Sequence, residues 1–178
     1  DENLNPIPNH PDALATYEYS ADGKTLTFTL RDDAYWHNGE KVTPEDIKWS
    51  IEFVAKTPVA NAVFISTFSA IADSKTGDTF NDTFSGIAID GQKIIITFDK
   101  IAPDALLTFT QFAPVPKSEF EGIDPLQVQQ APFFQHPIGC GPFMVEEVNM
   151  KNYTILAPFD KYYNGVADFK IQLLPSAG

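Results

Sequence analysis

Three histidines, His10, His37 and His136, and a single cysteine, Cys140, are the residues of this chain best suited to binding a metal or attacking a carbonyl. No two histidines lie at ligand spacing, and a zinc site needs three or four ligands with near neighbours among them. No metal is therefore expected, and the three read as turn or surface histidines. Cys140 and His136 are close enough in sequence to pair a thiolate with its base, but such a pair also needs a group that orients the imidazole. Pro137, Gly139, Gly141 and Pro142 surround them. Those residues constrain a backbone rather than present two side chains from one helix, so Cys140 is expected to be small and inert. The run Ile138-Gly139-Cys140-Gly141-Pro142 contains G-x-G without a third glycine or a following helix, which excludes a dinucleotide fingerprint. The Walker and nucleophile-elbow patterns are missing, and the carboxylates show no pairing that sequence can reveal. No catalytic residue and no cofactor is assigned.

What remains is aromatic and polar matter on loops: Tyr35, Trp36, His37 and Asn38, then Phe64, Thr67 and Phe68, then Phe133, Phe134 and Gln135. Aromatics beside amides and hydroxyls line ligand clefts, and they equally anchor half-exposed loops. The residue types leave both uses open.

The elements that must position these residues are well marked. Residues 1–13, with three prolines, read as an irregular lead-in. Leu14 to Ser20 is β-prone, Asp22-Gly23 signals a two-residue turn, and Leu26, Phe28 and Leu30 alternate with threonines, which predicts a hairpin with one buried face. Thr43 can N-cap a helix that has Pro44 at its first position and Asp46 at the capping-box place. Glu45 and Asp46 suit the positive end of the helix dipole, and Ile47, Ile51, Val54 and Ala55 repeat at helical spacing up to Pro58. The stretch from Asn61 to Ala72 reads as a short helix running into a strand. Asp90-Gly91 predicts a second hairpin, Pro103 opens another short helix, and residues 113–137, rich in proline, read as loops with one helical turn at Pro125–Gln130. From Ile138 onward three strands are expected, the first two joined around Asn149–Asn152. The fold class is α+β, or mixed α/β: antiparallel hairpins with a few helices, and a change of texture near residues 125–137.

The composition sets outer limits. In 178 residues, 43% are hydrophobic and 15 are Phe, which supplies a packed core. A formal charge of −12 with scattered Lys and Arg argues against nucleic acid or anionic lipid as partners, since both reward clustered cations. One cysteine precludes an intrachain disulfide, and no apolar run reaches the length of a membrane span. The acidic, Pro-containing opening is unlike a signal peptide, which leaves a cytosolic protein or one whose targeting segment has been removed.

The order of these pieces resembles the extracellular solute-binding proteins of family 5, the oligopeptide- and dipeptide-binding components of ABC importers. The resemblance rests on Leu14-Ala15, Tyr17-Glu18, Asp22-Gly23-Lys24, Thr27-Phe28-Thr29, Leu30-Arg31, Trp36-His37, Asn38-Gly39, Val42-Thr43 and Asp46. Two later stretches agree: the hairpin, helix and Pro114-Val115-Pro116-Lys117 loop, and Pro137 to Phe143 followed by Tyr162-Tyr163-Asn164-Gly165. Cys140 and Phe143 stand where Thr and Tyr are usual. The resemblance implies a fragment of a class II periplasmic-binding-protein-like lobe. Residues 1–125 would form the small α/β subdomain and 126–178 the first strands of the larger domain, the second lobe lying outside this chain. It implies a non-enzymatic protein, extracellular or periplasmic, held to the membrane only through a lipid anchor that this chain lacks. Two lobes would close by a hinge on a peptide or related small solute and deliver it to an ABC permease. By position, Asn61, Phe64 and Thr67 would face the ligand, while Gly139, Gly141 and Pro142 would play a structural part near the crossing between lobes, the glycines permitting close backbone approach. An interaction module without its own ligand, or a cleft hydrolase, are the competing readings.

Overall fold

The computed structural model of the chain describes residues 6–58 and 60–175. Part of the lead-in, residues 1–5, lies outside that range; from residue 6 to 13 the backbone is irregular, as expected. In chain order the elements are β1 (Ala15–Tyr19), β2 (Thr25–Leu30), α1 (Pro44–Ala55), α2 (Ala62–Ser69), β3 (Lys75–Thr76), β4 (Thr79–Phe80), β5 (Ile87–Asp90), β6 (Lys93–Thr97), α3 (Ala105–Gln111), β7 (Phe143–Asn149), β8 (Tyr153–Pro158) and β9 (Ile171–Leu173). No helix of the described residues is long and apolar enough to cross a membrane.

Strands β1, β2, β6 and β5 form an antiparallel sheet in that order. The register aligns Tyr17, Phe28, Ile94 and Ile89 in one row across the sheet and Tyr19, Leu26, Ile96 and Ile87 in the next. Because side chains alternate along a strand, both rows share one face. The other face carries Thr16, Thr29, Lys93 and Asp90 beside Glu18, Thr27, Ile95 and Ala88. The apolar face is covered by the helices: Ile51 and Ala55 of α1, Phe68 of α2 and Ala105 of α3 are buried against Leu26, Ile87, Ile94 and Ile96.

Helix α1 begins as its sequence prescribes. Thr43 Oγ1 accepts from the Asp46 N–H at 3.2 Å, and Asp46 Oδ2 accepts from the Thr43 N–H at 3.0 Å, closing the capping box with Asp in place of Glu. The same Oδ2 also accepts from Thr43 Oγ1 at 3.0 Å and from Trp36 Nε1 at 3.2 Å. A buried indole N–H must find a partner, and the helix cap provides it, so the Tyr35–Lys41 hairpin and the start of α1 are one unit. Helix α1 then serves three clusters. Ile51 and Ala55 face the sheet, Phe53 and Trp49 face a second cluster of Phe120, Val128, Ala131 and Phe133, and Ile47 borders a third, of Leu30, Ala34, Trp36 and Val42.

Both hairpins differ in detail from the two-residue turns expected. In the first, Ser20 N–H bonds Thr25 O and Gly23 N–H bonds Ser20 O, so Ala21–Lys24 form a four-residue loop. Asp22 shapes it by accepting from Ser20 Oγ and the Lys24 N–H, a side-chain turn that reaches beyond the dipeptide signal. In the second, Asp90 pairs with Lys93, so the turn residues are Gly91 and Gln92, one place later than the dipeptide suggests. Helix α2 does run into a strand-like segment, as Ile71 bridges Phe98. There Gly86 passes so close to Ala72 that a Cβ on it would lie 2.3 Å from the Ala72 carbonyl oxygen. Residues 113–137 hold three 3₁₀ turns rather than one, at Lys117–Phe120, Pro125–Gln130 and Pro132–Gln135. They deliver Phe120, Val128 and Phe133 to α1.

The second sheet, β7-β8-β9, is antiparallel, with β7 and β8 joined by Met150–Asn152 and a bulge between Val145 and Glu147. None of its strand residues is fully buried.

Substitutions at two positions on α1 test these assignments. Asp46→Ala strips the indole of its acceptor and removes the cap; it is expected to lower unfolding free energy by about 2 kcal/mol, seen as a lower urea midpoint. Glu52 is buried, accepts the Phe84 N–H at 2.8 Å and lies 3.8 Å from Lys48; burial raises its carboxyl pKa. The folded state therefore holds that proton more tightly than the unfolded chain, and stability falls as pH rises through the raised folded value. Glu52→Gln keeps the acceptor without the charge and is expected to be at least as stable as the parent at neutral pH with a flatter pH profile, whereas Glu52→Ala loses about 1–3 kcal/mol.

Candidate functional site

Asn61 is exposed and caps α2, its side-chain oxygen accepting from the Val63 N–H at 2.9 Å. One turn on, Phe64 stacks on Phe68 at 6.0 Å and meets Phe112 edge-on at 5.8 Å. Both residues line a shallow slot of about 180 Å³ between α1, α2 and the 3₁₀ turns, completed by Phe53, Val115, Phe120 and Phe134. Thr67 does not join them. Its hydroxyl donates to Thr108 Oγ1 at 2.9 Å and ties α2 to α3. Val59, within the same loop, lies outside the described residues. Of the aromatic loop residues, Trp36, Phe68 and Phe133 belong to the core, while Phe134 is 53% exposed. A larger cavity of about 390 Å³ lies along the apolar face of the first sheet, bordered by Leu14, Tyr17, Phe28, Leu106 and Phe109. The one phenol there, Tyr17, donates to Pro6 O at 2.9 Å.

The Gly139–Pro142 turn sits where the second sheet meets the first part of the chain, and His37 holds it there. The His37 N–H donates to Gly139 O at 2.8 Å, His37 Nδ1 accepts from the Gly139 N–H at 3.0 Å, and His37 Nε2 lies 3.0 Å from Gly141 O. A carbonyl oxygen can only accept, so Nε2 carries the proton and Nδ1 does not. The ring packs edge-on against Phe159 at 4.8 Å, and the Phe159 N–H donates to Pro142 O. This corrects the expectation of an ordinary turn or surface histidine for His37; His10 and His136 are exposed as expected. Close approach is not what the glycines supply: a Cβ at Gly139 would meet His37 Cε1 at an ordinary 3.7 Å, and one at Gly141 would meet nothing within 4 Å. Backbone groups make the contact instead. The partners are 102 and 104 residues apart in sequence, so no local signal announces them.

Alongside, the Arg31 guanidinium lies 3.5 Å over the Tyr163 ring, donates to Pro11 O and pairs with Asp33 at 2.6 Å. Asp12 Oδ1 accepts from Asn164 and Tyr162, which hold its carboxyl below the usual range. The Tyr162-Tyr163-Asn164-Gly165 motif is therefore a clamp on the lead-in. Cys140, beside Trp36 and Tyr163, is half-buried, and burial pushes its thiol up to about 11. Among the described residues no group of three His, Cys, Asp or Glu side chains could hold a metal ion. The arrangement offers apolar slots, free amide groups and braced turns, which are means of holding a molecule.

Two larger antiparallel sheets and the short β3-β4 pair, bridged by helices and braced turns, make this chain part of a periplasmic-binding-protein-like lobe. An ABC transporter substrate-binding protein of Listeria monocytogenes, CtaP, superposes with a TM-score of 0.76 at 25% identity over 93% of this chain and 32% of that one. The model of the bacterial extracellular solute-binding proteins, family 5 Middle, matches residues 10–172, and the chain belongs to that family. It is 27% identical over 174 residues to the periplasmic murein peptide-binding protein MppA of Escherichia coli, covering 91% of this chain and 31% of that protein. The nickel-binding periplasmic protein of the same organism is 26% identical over 155 residues, 83% of this chain and 25% of that protein. The chain thus spans about a quarter to a third of the length of the curated relatives it matches. These relatives are binding proteins.

Two outcomes follow for the side chains. A thiol held at about 11 is almost wholly protonated at pH 7.5, so Cys140 is expected to resist a disulfide reagent in the native protein and to react promptly in urea. Asn61→Ala is expected to cost about 1 kcal/mol through the lost cap, measured by thermal unfolding.

Proposed function

We propose that this chain is a portion of the substrate-binding component of an ABC importer, and that the whole protein captures a peptide or related small solute outside the cytoplasm for a permease. The match to a solute-binding family over residues 10–172 carries this reading. Residues 1–125 form the small subdomain and 126–178 the first strands of the larger domain, with the 3₁₀ turns up to Gln135 bridging them. The absence of any fully buried residue in β7, β8 and β9 supports this, since a sheet open on both faces is completed by further layers. Asn61 and Phe64 present an amide and an aromatic face to the ligand, and Thr67 acts as a brace. The protein breaks no bond in its ligand, works in the periplasm or at the cell surface, and would be retained there by an anchor outside this chain. Peptide and nickel chelate both remain within the solute class, as the murein peptide- and nickel-binding relatives do.

The test is to isolate the full-length protein from its native cells, identify co-purifying ligand by native mass spectrometry, and titrate candidate peptides and nickel–histidine by calorimetry. A stoichiometric, chemically unaltered ligand supports the reading. Turnover of the ligand, or no saturable binding by any of them, overturns it. The present chain alone is expected to bind weakly, since a one-sided surface buries too little of a small ligand.

A further inference from the structure

His37 is the one titratable ring among the described residues with both nitrogens committed to backbone groups of a distant turn. Its bonds require the neutral form with the proton on Nε2: Gly139 N–H needs a lone pair on Nδ1, and Gly141 O needs a donor on Nε2. A second proton could go only to Nδ1. It would face the Gly139 N–H, donor against donor, and the amide would lose its acceptor with no other protein partner in place.

We propose that His37 is a proton-operated latch: neutral, it fixes the Gly139–Pro142 turn and through it the second sheet against the Tyr35–Lys41 hairpin, and on protonation it releases that turn. The reasoning is independent of the ligand reading. Three bonds join one residue to the turn that leads into β7, and Phe159, buried beneath the ring, bonds Pro142 O and follows β8 directly. Loosening the turn therefore reaches both β7 and the end of β8.

The surroundings favour release over a compensating salt bridge. On the hairpin, the Glu40 carboxylate accepts from Ser118 Oγ at 2.6 Å, Lys41 is exposed, and Asn38 lies toward Glu119. On the 136–142 segment, His136 is exposed and Cys140 keeps its proton. After β8, Asp160 is exposed and Lys161 lies 5.3 Å over the Tyr35 ring, its ammonium on the same side as Gly39. Burial pulls the ring's pKa below the ordinary histidine value, with the Gly141 carbonyl offsetting part of that. The folded protein binds this proton less readily than the unfolded chain. The stability it contributes is complete above the ordinary value of about 6.5 and is lost as pH falls through the lower folded value.

The test needs no variant. In uniformly ¹⁵N-labelled protein, long-range ring correlations at pH 7.5 are expected to show His37 protonated at Nε2 alone. Lowering the pH toward 5 is expected to shift the Gly139 amide resonance with the same midpoint as the His37 ring, below 6.5, and to cut Gly139 exchange protection, corrected for intrinsic rate, by about tenfold or more. His37→Gln removes that step, while His10→Gln and His136→Gln leave it unchanged. Overturning results are an Nδ1–H tautomer at pH 7.5, a His37 midpoint at or above 6.5, or a Gly139 amide whose protection does not change as His37 titrates. If His37→Gln fails to fold, the tautomer and the paired midpoints in the parent protein decide the matter.

Discussion

Asp46 Oδ2 receives three donors, two from Thr43 and one from the Trp36 indole, and much of the remaining structure is placed by that convergence. The carboxylate lies in the first turn of α1, where the helix dipole favours negative charge. It also accepts the indole N–H of a tryptophan that is 1% exposed. The direction of α1 is thereby fixed against the hairpin before it. Because α1 contributes side chains to three clusters, one cap orients the packing of the sheet, the 3₁₀ turns and the Trp36 cluster together. A kilocalorie-scale interaction sets the geometry that much larger apolar burial then stabilises.

Legibility in the sequence follows the range of each interaction. Thr43, Pro44 and Asp46 announce α1 because a cap is written within four residues. The alternation of Leu26, Phe28 and Leu30 gives the buried face of β2 because strand periodicity is equally local. The turns at Asp22 and Gly91 are legible as turns, but the first is longer than its dipeptide suggests and the second lies one place later, since the loop closes where side chains such as Asp22 and cross-strand pairs such as Asp90 with Lys93 allow. Slot and clasp are a different matter. Asn61 and Phe64 fall together because both belong to the first turn of α2, but Thr67, one turn further, rotates toward Thr108 and leaves the slot. His37 was placed on a turn, yet its partners lie beyond a hundred intervening residues, and no spacing rule connects Trp36-His37 with Gly139-Cys140-Gly141.

The two sheets differ in how complete they are. The first has one apolar face under three helices and one threonine-rich face in solvent, a finished two-layer arrangement. The second leaves Leu173 half exposed, with Phe169 just before β9 more than half exposed, and buries none of its strand residues fully. What joins the two is largely polar and aromatic, with Ile138 packed against the Trp36 cluster: the His37 clasp, Arg31 over Tyr163, and Asp12 with its tyrosine and asparagine donors.

The bond from Tyr162 to Asp12 spans 150 residues, whereas β6, the last strand of the first sheet, ends at Thr97. During synthesis the ribosome delivers everything needed for that sheet well before Tyr162 emerges. Before that point Tyr17, donating to Pro6 O, and Arg31, donating to Pro11 O, already hold the lead-in to the sheet, and the Tyr162 and Asn164 bonds to Asp12 are added only when the last third of the chain arrives. Long-range closures of this kind form late because loop entropy is lost before the contact repays it. The nascent polypeptide thus passes through a stage in which the first sheet is complete while Asp12 still lacks its tyrosine and asparagine donors.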